Sequence, residues 1–224
     1  MATWRRRPWI GLLVCALGLG LARLAEAATL NVPSQYPTLQ AAFDAAQAGD
    51  EIVIASRPTP YQIGTVRRNT PYPVGQITVR GSGADPTLTV LEGSLDFHPL
   101  GSGNVTLVVS GLTIRKGSTA TTVGLGASHE RSLRSNQTAY STTLVVTNCI
   151  VESYSIGVRA DWGAHLTVSH SVVRNNQRGI SVGHPPTTDT LPSIVYSVVA
   201  ISRSVIANNS AYGIIGLGGV SPGF

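Results

Sequence analysis

Residues 166–183 read LTVSHSVVRNNQRGISVG, and the chain contains this stretch in several versions. VTNCIVESYSIGVRAD (146–161) aligns with VSHSVVRNNQRGISVG (168–183) at a shift of 22, and ISRSVIANNSAYGII (201–215) follows at a further 33. VSGLTI (109–114) with VGLGA (123–127) makes a less regular earlier copy. Gly124, Gly157, Gly179 and Gly213 fall in register, each followed by an apolar residue. One such copy is too small to bury its own apolar side, so the copies must stack. Within each copy β-branched residues stand two apart and are interrupted by Asn, Ser and Gly, which is the period of a strand rather than a helix. Parallel strands stacked about 4.8 Å apart would place equivalent side chains in shared columns. The recurring glycine suits a turn conformation that other residues avoid.

This pattern resembles the repeat of the right-handed parallel β-helix in the pectin-lyase-like superfamily, apolar-x-Asn-Asn followed by Gly-apolar. TLNVPSQYPTLQAAFDAAQAGDEIVIA (29–55) is similar to that family's opening segment. ITVRGSGADPTLTVLEG (77–93) resembles the second coil of pectin methylesterases and their relatives. The resemblance implies an all-β, right-handed parallel β-helix of about six coils with a short N-terminal capping helix. Leu39, Ala42, Phe43 and Ala46 form one stripe of that helix, which stops at Gly49. It would cover the open first coil. The domain reading is a signal peptide over 1–27, strand and capping helix over 28–50, and coils over 51–224. AYGIIGLGGVSPGF ends on an apolar strand without a polar cap. That predicts an exposed edge, open to further coils or to pairing with another chain.

The first residues read as a secretory leader. Arg5, Arg6 and Arg7 precede an apolar run from Trp9 to Leu21, and Ala25-Glu26-Ala27 supplies a small-x-small cleavage pattern. The run is too short to span a bilayer. A mature chain starting near Ala28 is therefore expected outside the cytoplasm, secreted or in an extracytoplasmic compartment, with no stable membrane insertion. Cleavage leaves 12 basic against 10 acidic residues. A net charge near +2 makes no electrostatic case for a nucleic-acid partner. Cys149 alone remains, so no intramolecular disulfide forms.

Asn175 aligns with Asn208, and Asn176 with Asn209. Stacked amides one coil apart can satisfy turn backbone that lacks a strand partner, so these four read as a structural ladder. His170 aligns with Asn148, Arg203 and Gly111, a position tolerant of any polar residue. The links between coils vary much more. SHERSLRSNQTAYST (128–142) and GHPPTTDTLPSIVYS (183–197) are long, and DWGAH (161–165) between them is short. A short turn between two long ones makes a notch. Asp161, Trp162 and His165 would floor it, with Arg159 two residues back on the same strand face. His129, Glu130 and Arg131 would stand on one wall, His184 and Asp189 on the other. A polysaccharide fits such a notch. Trp162 would stack on a sugar ring, Asp161 and Glu130 would accept hydroxyl hydrogen bonds, and Arg159 would pair with a uronate carboxylate. The alternative is that long loops are simply tolerated at a solenoid edge.

Pectin methylesterases carry two aspartates and an arginine on adjacent coils. Here the equivalents of Asp161 are expected to be Gly183 and Ala127, so the pair is expected to be missing. The Asp-Asp and Asn-x-Asp motifs of polygalacturonases are absent from the sequence. The acidic cluster of calcium-dependent pectate lyases is not apparent, and the histidines lack tight zinc spacing. No metal or cofactor is expected. Three readings stand: a carbohydrate-interacting surface module without catalysis; a polyuronide lyase or esterase relative with Asp161, Arg159 and His165 as catalytic candidates; or a structural repeat fragment of a larger surface protein.

Overall fold

Alternating apolar residues wind this chain into a parallel β-helix. The computed structural model describes residues 26–68, 71–99, 103–118, 121–128, 141–183 and 197–216; the expected leader falls outside them except for Glu26 and Ala27. The chain enters through β1 (Thr29–Val32) and α1 (Leu39–Ala45), then β2 (Glu51–Ile54) and β3 (Tyr61–Val66), β4 (Gly75–Gly81) and β5 (Val90–Phe97). Each later coil has three strands. They are β6 (Val105–Ser110), β7 (Thr113–Arg115) and β8 (Val123–Ser128), followed by β9 (Thr142–Thr147), β10 (Ile150–Glu152) and β11 (Ile156–Asp161). The last two coils are β12 (His165–Ser169), β13 (Val172–Arg174) and β14 (Arg178–Val182), then β15 (Val198–Ser202), β16 (Val205–Ala207) and β17 (Tyr212–Gly216).

Three faces result. One sheet runs β1-β2-β4-β6-β9-β12-β15, with every described pairing parallel. A second, narrow face stacks β7, β10, β13 and β16, and a third stacks β5, β8, β11, β14 and β17 with β3 beside β5. Strand β5 is long enough to join the last two, pairing first with β7 and then with β8. Six coils therefore follow β1.

Inward residues make the columns that the repeat predicted. Leu107, Leu144 and Leu166 align, as do Val109, Val146 and Val168, and each is at most 1% exposed. Full burial of one such side chain contributes roughly 1.5–3 kcal/mol. At the start, Thr38 caps α1 by accepting a bond from Ala41 N–H, and Leu39, Ala42 and Phe43 are buried over the first coil. Buried Arg68 donates to the Ala46 and Phe43 carbonyls at the helix end, where a cation is favourable. Phe43, Tyr72 and Phe97 pack edge to face behind it. In the last coil the covering is lost: Val198, Val205, Tyr212 and Ile214 are each more than half exposed.

The recurring glycines have a different cause from the one expected. Gly124, Gly157, Gly179 and Gly213 do not adopt positive φ. A Cβ on Gly124 would lie 2.7 Å from the Tyr154 ring, and one on Gly157 would lie 2.8 Å from both Asn176 Nδ2 and Gly179 O. Gly124, Gly157 and Gly179 are needed for close approach between coils, whereas a Cβ on Gly213 would meet Ile206 Cγ2 at an ordinary 3.6 Å. The left-handed turn positions instead hold Asn148, Ser153, His170, Asn175, Arg203 and Asn208. Asn175 and Asn208 are thus turn residues with φ of 56° and 53°, while their neighbours form the ladder. Asn176 Oδ1 accepts from Tyr154 N–H at 2.9 Å, and Asn209 Oδ1 accepts from Asn176 N–H at 3.1 Å. A parallel serine ladder runs through the preceding turn, where Cys149 N–H donates to Ser171 Oγ and Ser171 N–H to Ser204 Oγ. Burial pushes the Cys149 thiol up to about 12, which keeps it protonated at neutral pH.

Candidate functional site

Strand alternation decides which side chains leave the core. On β11, Val158 and Ala160 point inward and are fully buried, so Arg159 and Asp161 point out. Parallel pairing then sets two outward columns on the third face. Asp96, Gly126, Arg159 and Ser181 share one register. Ser128 pairs with Asp161 in the second, and His98 follows Phe97 into the same column.

Gly126 carries no side chain between Asp96 and Arg159. The gap becomes the floor of a groove of about 440 Å³, lined also by Thr65, Ser94, Thr121 and Thr122. That size lies within the roughly 300–1,000 Å³ of small-ligand sites. Asp96 and Arg159 are two coil steps apart, roughly 10 Å. At its lower end Arg67 Nε donates to Asp96 Oδ2 at 2.9 Å, and Arg67 Nη2 contacts the same oxygen. At its upper end Arg159 Nε lies 2.9 Å from Asp161 Oδ2. The contact is Coulombic: the N–H is not aimed at the carboxylate, and Nε is buried without a hydrogen-bond acceptor among the described residues. Thr121 Oγ1, on the groove wall, is likewise buried and unpartnered there.

Burial raises the Asp161 carboxyl to about 6; Arg159 pulls the value down, and Asp96 adds a smaller upward push. Burial thus outweighs the guanidinium because the carboxylate has lost most of its water. A carboxyl that changes charge near pH 6 can hold or release a proton under ordinary conditions.

Of the residues read as a notch, the structure brings together Arg159 and Asp161. Trp162 follows them in a left-handed turn (φ 52°), half-buried and not lining the groove. His165 is exposed and opens β12, paired with Thr143 and Val198 on a different face. His129, Glu130, Arg131, His184 and Asp189 lie outside the described residues. The expected equivalent of Asp161 on the preceding coil also needs correction. It is Ser128, with Ala127 instead opposite Ala160. Asp96, which the repeat alignment never reached, joins Arg159 and Asp161 on the same face. His98 and Ser128 were missed with it, and their side chains are hydrogen-bonded through Nδ1 and Oγ. No signal in the glycine repeat marks Asp96 and His98, because the β4–β5 coil lacks that repeat and only the alternation in VLEGSLDF turns Asp96 outward; Ser128 falls one residue past the aligned VGLGA copy.

Among the described residues no three His, Cys, Asp or Glu side chains gather where they could hold a metal ion. No described helix is long and apolar enough to cross a membrane. Fold and site together define an all-β parallel solenoid with a groove on one outer face, in which Leu95 and Val123 line the wall beside the polar side chains. Comparison with protein-family models, with curated proteins and with solved structures gave no match to this chain.

Proposed function

We propose that this chain is a secreted right-handed parallel β-helix of the pectin-lyase-like kind, and that its outer groove binds an acidic polysaccharide without turning it over. The observation that carries this reading is the Asp96–Gly126–Arg159 column, a side-chain gap between an acid and a guanidinium with threonines and a serine along its walls. Hydroxyl-rich sugars need such mixed donors and acceptors, and a uronate carboxylate needs a planar cation. Titration calorimetry with oligogalacturonides of three to six units tests it. Gly126→Val fills the groove floor, and the nearest atoms to its Cβ are Asp96 Oδ1 at 3.2 Å and Val123 Cγ1 at 3.7 Å. Loss of binding in this variant, with the fold intact by circular dichroism, is the expected result. Binding as tight as in the parent chain sinks the groove reading.

A second reading has one specific observation in its favour. Asp161 at about 6 beside Arg159 is placed as a proton-handling group next to a carboxylate-binding cation. This is the lyase or esterase alternative. Incubation with polygalacturonate and its methyl ester, followed for unsaturated products and for methanol, decides it. Turnover that Asp161→Asn abolishes would replace the binding-only reading.

A further inference from the structure

The second outward column carries chemistry that ligand binding does not use. His98, Ser128 and Asp161 stand on successive coils beside the groove. His98 Nδ1 and Ser128 Oγ are hydrogen-bonded, and Asp161 pairs with Ser128 on the other side. Ser128 is 8% exposed and Asp161 9%, although both point away from the core. Buried polar side chains usually serve backbone that lacks a partner. The ladder serines do this: Ser171 Oγ donates to Ser169 O and Ser204 Oγ to Ser202 O. Ser128 differs, because among the described residues the partner of its hydroxyl is an imidazole. A hydroxyl bonded to a base is the arrangement that activates a serine.

We propose that Ser128 is a nucleophile activated by His98, and that this face hydrolyses acyl esters. With the imidazole proton on Nε2, Nδ1 accepts the Ser128 proton as Oγ bonds to the ester carbonyl carbon. The adduct collapses, the bond from that carbon to the alcohol oxygen breaks, and the His98 imidazolium returns the proton to the leaving alkoxide. Water then attacks the acyl-serine by the same route and releases the acid, restoring Ser128. Asp161, held by Arg159, bounds the site on the next coil and leaves the hydroxyl to His98. Gly126, on the groove floor, lies two residues before Ser128, roughly 7 Å along the strand, and Ser128 itself stands outside the groove lining. An acyl ester carried as a substituent on a sugar chain is the substrate class: the groove holds the chain and leaves its backbone intact, and this choice alone rests on the groove reading.

The test is covalent labelling of the full chain with a fluorophosphonate serine probe, read by intact mass and peptide mapping. One adduct on Ser128 is expected, with none in Ser128→Ala and labelling at least tenfold slower in His98→Gln. An acyl burst with p-nitrophenyl acetate should show the same dependence. Absence of an adduct on the parent chain overturns the proposal, and that result needs no variant to fold. An adduct confined to another residue, or a rate unchanged in His98→Gln, also overturns it. Oligogalacturonide binding can fail while labelling persists, and the reverse, so the two readings fail separately.

Discussion

Arg159 and Asp161 sit two residues apart on one strand, and their side chains meet outside the sheet with Nε 2.9 Å from Oδ2. The pair does not keep the carboxyl at its ordinary value, because burial outweighs the cation and leaves Asp161 at about 6. The unfolded chain restores an ordinary carboxyl near 3.8. The folded value is the higher one, so between about pH 4 and 6 the native state holds more protons than the unfolded state. The contribution of Asp161 to stability is therefore full at acid pH and falls as pH rises through that window. Burial drives this loss, the Arg159 cation offsets part of it, and the remaining hydration of the carboxylate keeps it to about 1–2 kcal/mol. Urea unfolding at pH 4 and pH 7 measures it. Asp161→Asn should lack this fall, and an identical pH difference in parent and variant would sink the assignment.

The two adjacent asparagines of the repeat should respond very differently. Asn176→Ala removes the acceptor for buried Tyr154 N–H and the donor to Val151 O. Leaving such groups unpaired costs about 2–3 kcal/mol. Asn175 holds only a left-handed turn (φ 56°) and is exposed. Asn175→Gly keeps that conformation and should change stability by under about 0.5 kcal/mol. Guanidinium unfolding midpoints of the two variants check the contrast, and equal losses would contradict the ladder.

Much of the scaffold was legible because a solenoid repeats its physics at every coil. Val146, Val168 and Ile201 recur since each lines the same column, and the alignment that finds them also finds the strands. Legibility ended where one pattern has two causes. Asn175 and Asn176 look alike in sequence, but one is chosen for its backbone and the other for its amide. Gly157 looked like a turn residue and is a spacing residue. The site was harder still. Arg159 and Asp161 were found as polar residues on an outward strand face, but Asp96 and His98 lie on a coil where Gly93 has φ 147° and the Gly-apolar signature is absent. Their register is set by hydrogen bonds between β5 and β8, which no periodicity in the sequence announces.

Two glycines on the third face separate packing from openness. Gly157→Ala places a Cβ 2.8 Å from backbone oxygen and from the ladder amide, neither of which can retreat. A loss of about 3 kcal/mol is expected from such overpacking. Gly126→Ala meets the Asp96 carboxylate end at 3.2 Å and the Val123 methyl at an ordinary 3.7 Å, and its loss should stay below about 1 kcal/mol. Thermal melts followed by circular dichroism distinguish them. Equal destabilisation would mean that Gly126 is part of the packed wall and not a groove floor.

If the groove takes uronates, Asp161 and the ligand compete for Arg159. At pH 7 Asp161 is ionised and holds the guanidinium through the 2.9 Å contact. At pH 5 it is mostly protonated, whereas a uronate, with an ordinary carboxyl value near 3.5, stays charged. Arg159 is then released to the ligand, so oligogalacturonide affinity should rise several-fold from pH 7 to pH 5. The sign is opposite to the usual weakening of carboxylate binding in acid. Asp161→Asn should bind with the acid-form affinity at both pH values, since its amide never competes for the cation. Arg159→Lys should lose about tenfold, near 1.4 kcal/mol, because an ammonium cannot make the bidentate contact. Calorimetric titrations at the two pH values carry the whole comparison. An affinity that is flat or falls on acidification in the parent chain would remove Arg159 from the binding site.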